Sequence, residues 1–371
     1  MDPFEIFLAG PPGLEPVLAD EARAAGFPSP KGVPGGVTFR GGWPDVWRAN
    51  LSLRGPSRVL ARIGGFRVLH LAQLDKRARK FAWAEFLRPD VPVRVEVTSH
   101  ASRVYHEGAA RQRIATAIRE TLGAPVVDGT VEDAVTLRAR IERDMCEFSL
   151  DTSGELLHRR GHKQAVNAAP MRETLAALLL RACGYAGAEP VLDPMCGSGT
   201  FVIEAAEIAA GLAPGRSRGF AFERLATFDA AAWADLRAGA VRVATPLRFR
   251  GADRDAGAIA MSRANAARAG VSDLTDFTEA PISALRRPDG PPGLVMVNPP
   301  YGTRLGDPKA LIPLYATLGE TLRAGFTGWR VGLVTTETAL AQATALPFLP
   351  TGAPIPHGGL RIRLFRTEAL G

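Results

Sequence analysis

Cysteine is scarce in this sequence. Cys146, Cys183 and Cys196 are the only three in 371 residues, and they lie far apart. That excludes a disulfide framework and a paired zinc-ligand spacing, and it predicts a reducing compartment, the cytoplasm. No apolar run approaches the ~20 residues that a membrane-spanning helix needs. The opening Met1-Asp2-Pro3-Phe4-Glu5 lacks the basic stretch of a secretory signal. The six histidines (70, 100, 106, 158, 162 and 357) make no ligand pair at helical spacing with acidic partners, so no metal is expected. His158 and His162 are four apart but sit in a basic stretch, which reads as RNA-facing or solvated. Lysine is also rare: there are five, against forty arginines.

Apolar residues make up 46% of the chain, enough for real cores, and the length predicts two or three domains. The net charge of +7 is unevenly spread. Residues 54–120 hold fourteen Lys/Arg against six Asp/Glu, while residues 1–53 and 121–170 are each net −2. A concentrated basic segment is the electrostatic footprint of a phosphate-binding surface. An arginine-rich composition is the bland explanation, and the clustering favours nucleic acid over it.

The hydrophobic pattern divides the chain. Ile6–Ala9 reads as a strand, Leu14–Ala25 as a helix, Val37–Phe39 as a strand and Pro44–Asn50 as a helix, a small α+β unit. Val93–Val97 alternates as a strand. Glu107–Leu122 reads as a helix with Ala110, Ile114, Ala117, Ile118 and Leu122 on its buried stripe and Arg111, Arg113 and Arg119 outside. Thr136–Ile141 and Met145–Leu150 read as paired strands. From the helix Met171–Cys183 onward the pattern is α/β: strands at 190–192, 247–251, 293–297 and 329–335, helices at 200–210, 255–269 and 309–324. The long gap between Asp193 and Asp253 predicts an insertion over 212–245 with a helix near Ala230–Ala240.

Two segments carry chemistry. Val191-Leu192-Asp193-Pro194-Met195-Cys196-Gly197-Ser198-Gly199-Thr200 is a strand running through a glycine turn into a helix, which suits a nucleoside cofactor. Gly197 and Gly199 permit close backbone approach, and amides near Ser198–Thr200 can meet a carboxylate. Val202 stands where a dinucleotide fingerprint has its third glycine, which argues against a nicotinamide enzyme. Asp253 ends a strand and suits both ribose hydroxyls, with Asp255 as the better helix cap. The second segment, Asn298-Pro299-Pro300-Tyr301, follows the apolar run Gly293–Val297. A carboxamide and a carbonyl fixed by rigid prolines, with an aromatic ring beside them, can hold a planar amine-bearing group.

The pair of motifs resembles the signature of S-adenosyl-L-methionine-dependent amino-methyltransferases. The longer pattern resembles RNA guanine-N2 methyltransferases with a THUMP domain, above all the N-terminal half of bifunctional large-subunit rRNA methyltransferases and their stand-alone relatives. It rests on Gly13-Leu14-Glu15, Gly35–Phe39, Asp151–Gly154, Leu157–Gly161, Met171–Ala176, Asp193–Thr200, Gly251–Asp253 and Asn298–Gly302 with Arg304-Leu305. The resemblance implies a ferredoxin-like domain over 1–65, a THUMP RNA-binding domain over 66–155, a linker over 156–169 and a Rossmann-like class I methyltransferase domain over 170–371. It implies catalysis by Asn298, Pro299, Pro300 and Tyr301. It places Asp193, Pro194, Cys196, Gly197, Ser198, Gly199, Thr200, Asp253 and Asn298 at the cofactor, with Pro170, Glu173 and Thr174 over its methionine part. Adenine would be read by the Ile282 amide or by Glu279, because Pro281 takes the usual acidic slot. Arg103, Arg111, Arg113, Arg119, Arg159 and Arg160 are the expected RNA contacts. The expected partner is structured RNA, ribosomal or transfer, bound by a monomer.

Overall fold

The computed structural model describes residues 2–129, 131–163, 171–301 and 308–371. Pro170 and the motif residues Gly302, Arg304 and Leu305 therefore lie outside the described residues. The chain forms two compact units. The first takes Met1–Gly10, Ala22–Leu157 and Arg218–Gly239, the second Pro11–Glu21, His158–Ser217 and Ala240–Gly371.

An eight-stranded sheet runs through the first unit. Its strands are β1 (Phe4–Ala9), β2 (Lys31–Val33), β3 (Gly36–Gly41), β4 (Arg58–Arg67), β5 (Val93–His100), β6 (Val126–Val127), β7 (Val135–Glu142) and β8 (Met145–Asp151). Their order is β2-β3-β1-β4-β8-β7-β5-β6. Strand β4 pairs with β1 on one side and β8 on the other, so residues on both sides of position 65 share the sheet. The sequence pattern hides β4, because glycines and arginines break its alternation and the register shifts between Arg62 and Gly64. The helices are α1 (Glu15–Ala24), whose residues 15–21 belong to the second unit, α2 (Trp43–Ser52), α3 (Leu71–Ala78) and α4 (Glu107–Leu122); α1, α2 and α4 follow the apolar spacing and α3 is not legible from it. In α4 the stripe Ala110, Ile114, Ala117 and Ile118 is buried, and Gly123 ends the helix in the left-handed region.

The second unit carries a seven-stranded sheet of β9 (Val191–Asp193), β10 (Phe249–Asp253), β11 (Thr275–Glu279), β12 (Leu294–Val297), β13 (Arg330–Thr335), β14 (Ile355–His357) and β15 (Leu360–Arg366). The order is β11-β10-β9-β12-β13-β15-β14. The first five strands are parallel and β15 returns antiparallel to β13. All four residues of β12 are buried, as a strand covered on both faces requires. Its helices are α5 (Glu173–Ala182), α6 (Thr200–Ala209), α8 (Ala256–Ala269), α9 (Ile312–Gly325) and α10 (Thr338–Ala343).

The expected insertion is there, with α7 (Ala230–Ala238) inside it and Asp229 capping that helix through the Ala231 and Ala232 amides. Residues Arg218–Gly239 belong to the first unit. There Phe222 meets Trp233 edge-on at 4.9 Å and approaches Trp47.

Candidate functional site

In the second unit, β9 has β10 on one side and β12 on the other, and the sequence order of strands reverses there. Open parallel sheets bind ligands at the carboxyl ends of strands at such a switch point. Asp193, Asp253 and Asn298 stand at those three ends.

The glycine turn is held from several sides. The Cys196 amide donates to the Ala252 carbonyl at 2.9 Å, and the Gly199 amide to Cys196 O at 2.8 Å. From α8, Ser262 Oγ donates to Gly197 O at 2.8 Å and Asn265 Nδ2 to Ser198 O at 3.0 Å. Both side chains are fully buried. Gly199 has φ +82° and sits where a Cβ would lie 3.0 Å from Ser262 Oγ. It starts α6 without a side-chain cap, and the first amides of a helix have no partner within it. Gly251 leaves room for the Phe277 ring, which an added Cβ would meet at 2.7 Å.

Asp253 Oδ2 accepts from the Gly197 amide at 2.9 Å and Oδ1 from the Asp255 amide at 3.0 Å. Its carboxylate is thus oriented and half-buried, with lone pairs to spare. Asp255 caps α8 by accepting from Gly257 N at 2.8 Å. Asp193 is buried and accepts from the Met195 amide at 3.0 Å. Burial pushes its carboxyl up to about 8, against that hydrogen bond, and the neighbouring Asp253 adds to the rise. A site that raises a carboxyl this far beside a second carboxyl favours a cationic ligand.

Asn298 Oδ1 is buried and has no hydrogen-bond partner among the described residues. A buried acceptor left alone costs about 1–3 kcal/mol. Its loop is braced from α9, where the buried Tyr315 hydroxyl donates to Pro300 O at 3.1 Å and lies 3.3 Å from the Thr335 hydroxyl. Burial pushes the Tyr315 phenol up to about 12, so it stays a donor. Tyr301 and Ile282 are half-buried against the same core as Val295, Val297 and Tyr315. Pro299 is buried, Pro300 half-buried, and Glu279 exposed.

A buried ion cluster flanks α6, and its members were not read from the sequence as a group. Arg160 donates to Glu204 at 2.8 and 2.6 Å and lies 3.5 Å from Glu207, which also pairs with Arg216 at 2.5 Å. Lys163 donates to Met171 O at 2.6 Å and Thr200 Oγ1 at 2.9 Å, and stands 3.7 Å from Glu173. Burial lowers Lys163 and raises Glu173, each against its partner's charge. Thr174 is buried in the first turn of α5.

Two sequence expectations need correction. Arg160 is not an RNA contact, because its side chain is 1% exposed and bound to two glutamates. His162 is neither RNA-facing nor solvated but buried, and burial lowers its pKa. His158 is half-buried, and burial with the Arg172 charge drives it down to about 4. Arg159 is exposed. In the first unit, Arg103, Arg113 and Arg119 are exposed, and Arg111 pairs with Asp128.

Residues 160–347, half of the chain, match the RMKL-like methyltransferase domain family. The chain belongs to that family. The methyltransferase domain accounts for the parallel sheet, and residues 5–60 match the RlmL ferredoxin-like domain. The chain is 36% identical over 365 residues to the ribosomal RNA large subunit methyltransferase K/L of Chromohalobacter salexigens, covering 93% of this chain and 50% of that protein. It therefore spans about half the length of the curated relative it matches. Among solved structures, SMU.472 in complex with SAH is 26% identical with a TM-score of 0.87, covering 100% of this chain and 99% of that one. A protein of Listeria monocytogenes str. 4b F2365, whose name predicts an N6-adenine-specific DNA methylase, is 29% identical with a TM-score of 0.87, covering 100% and 97%. The fold is thus an N-terminal ferredoxin-like domain and a C-terminal Rossmann-like methyltransferase domain.

Proposed function

We propose that this chain binds S-adenosyl-L-methionine at the ends of β9 and β10 and methylates the exocyclic N2 of a guanine in large-subunit (23S) ribosomal RNA. The observation that carries the reading is the buried Asn298 Oδ1 at the end of β12, which has no hydrogen-bond partner among the described residues and lies beside the strand that leads into the glycine turn. An acceptor kept there at a cost calls for a donor, and an exocyclic amine supplies one.

The residues fit the cofactor. Asp253 would take the ribose hydroxyls. The uncapped start of α6, with Gly197, Ser198, Gly199 and Thr200, would meet the methionine carboxylate. Asp253 would face the positive charge of the ligand, and Asp193 would ionise as a sulfonium or ammonium comes beside it. Pro194 and Cys196 shape the turn, Glu173 and Thr174 lie in the first turn of α5, and Ile282 would border the adenine. When bound, the cofactor supplies an electrophilic methyl group on sulfur. The chain's own work is alignment. Asn298 Oδ1 and the Pro299 carbonyl would accept the two amine hydrogens and turn the nitrogen lone pair toward the donor. Tyr301 would stack on the base. The nitrogen so oriented would accept the methyl group and give up one proton to water.

Residues 66–155 are read as a THUMP RNA-binding domain after the ferredoxin-like 1–65, with 156–169 as linker, and the exposed Arg103, Arg113 and Arg119 as phosphate contacts. The naming of the Chromohalobacter relative for ribosomal RNA and the SAH in SMU.472 support the substrate and cofactor. A cytoplasmic monomer belongs to the same reading. No helix among the described residues is long and apolar enough to cross a membrane.

The test is nucleoside mass spectrometry of ribosomal and transfer RNA from a strain lacking the gene. Loss of one N2-methylguanosine from 23S RNA is expected. Loss from transfer RNA would move the substrate, and loss of an N6-methyladenosine would move the reaction to the chemistry named for the Listeria protein.

A further inference from the structure

Tyr105 is 70% exposed in a chain whose other large aromatic rings are mostly buried. Its ring lies tilted against His106, with centroids 4.7 Å apart and planes 34° from parallel. The loop that presents it, between β5 and α4, is braced. Ser99 Oγ donates to Val104 O at 2.7 Å, Ser102 Oγ to His100 O at 2.9 Å, and the Arg103 amide to Asp144 Oδ1 at 2.9 Å. Ala101, Arg143 and Asp144, all at this edge, hold φ values of +49°, +49° and +65°, left-handed conformations that non-glycine residues adopt at a cost.

This edge carries arginines as well as the acids Glu107, Glu142 and Asp144, of which Glu142 pairs with Arg140 and Asp144 with the Arg103 amide. Arg67 and Arg143 are exposed and form no ion pair with a described residue, and Arg103 reaches Asp144 only at 3.9 Å. Arg67 is the register partner of Met145, which is 50% exposed. An exposed ring on a braced loop, at a sheet edge that also carries Arg67, Arg103 and Arg143, is a combination that can bind unpaired nucleotides: the ring takes a base face and the arginines take phosphates. A duplex hides its base faces, and a protein partner would call for a larger apolar patch.

We propose that Tyr105, backed by His106 and flanked by Arg67, Arg103 and Arg143, is a stacking subsite for one unpaired RNA base. It rests on the RNA reading above and is separate from the residues assigned to the target base.

The test is fluorescence anisotropy with the full chain at low salt, against an unstructured oligoribonucleotide of about twelve nucleotides and a paired RNA duplex of similar length. Tyr105→Ala should weaken single-strand binding about 10-fold, the scale of one lost base stack. Duplex binding, the salt dependence and the melting temperature should not move, because no charge and no buried group is lost. Tyr105→Trp should restore binding. Equal single-strand affinity of wild type and Tyr105→Ala would overturn the subsite while leaving the RNA reading in place. Failure of the wild type to bind either RNA would overturn the RNA reading, and the subsite with it.

Discussion

The Tyr315 hydroxyl donates to the Pro300 carbonyl oxygen at 3.1 Å, tying helix α9 to the loop that carries Asn298. Nothing else in the periodicity distinguishes Tyr315 from an ordinary core residue. Tyr315→Phe keeps the ring and removes that donor. It should cost about 1 kcal/mol of stability. Turnover should fall roughly 10-fold with little change in cofactor affinity, since the loop is loosened and the glycine turn is untouched. Steady-state kinetics with calorimetric cofactor binding would check this, and unchanged turnover would remove the positioning role.

The two neighbouring carboxylates Asp253 and Asp255 should separate cleanly. Asp253→Ala should weaken S-adenosyl-L-methionine binding by roughly 1.5–3 kcal/mol, the scale of a hydrogen bond to a charged group. Asp255→Ala removes the cap on Gly257 N and should cost about 1 kcal/mol of stability with cofactor affinity intact. The reverse pattern in calorimetry would exchange their roles.

Arg160 gives a stability prediction where the sequence suggested an RNA contact. Arg160→Met takes the buried guanidinium away from Glu204 and Glu207, leaving Glu207 with Arg216. Removing one partner of a buried pair costs about 3–5 kcal/mol. Denaturant unfolding should show that loss. A stable Arg160→Met protein with weakened RNA affinity would reinstate the surface reading.

If Asp193 borders the cofactor as proposed, binding should depend on pH. Its carboxyl is raised to about 8, above its ordinary value near ~4, so burial favours the protonated form. In the ligand-free protein that contribution to stability is complete below ~4 and is lost as pH rises through about 8. A cationic ligand favours the ionised form, so binding near neutral pH should release a proton and tighten as pH climbs toward 8. Calorimetry in buffers of different ionisation enthalpy measures the proton count. Zero release from pH 6 to 8 would mean that the ligand leaves Asp193 as it found it.

The elements legible in the sequence were those whose local pattern and tertiary role agree. The apolar run before Asn298 is a buried parallel strand, and the stripe of α4 is its buried face. Strands β4, β14 and β15 were not legible. Strand β4 is broken by glycines, and the last two form by antiparallel return to β13, a long-range pairing that no local signal announces. The motif residues at the strand ends could be placed because a strand–turn–helix passage fixes where they lie. Their braces could not, since Ser262, Asn265 and Tyr315 act across the fold. Glu204 and Glu207 did leave a signal: two acids inside the otherwise apolar Thr200–Ala209 need buried cations. The basic stretch Arg159–Lys163 misled because its charges were read as surface, when Arg160 answers those acids and Lys163 lies against Glu173.

In the proposed reaction the Asn298 carboxamide acts on the amine to be methylated rather than on the cofactor. The most direct measurement is turnover of Asn298→Ala on 23S RNA, with cofactor affinity measured in parallel. The account predicts a fall of at least ~100-fold in kcat with a nearly unchanged dissociation constant for S-adenosyl-L-methionine. Turnover close to wild type, or a loss explained entirely by weaker cofactor binding, would contradict it.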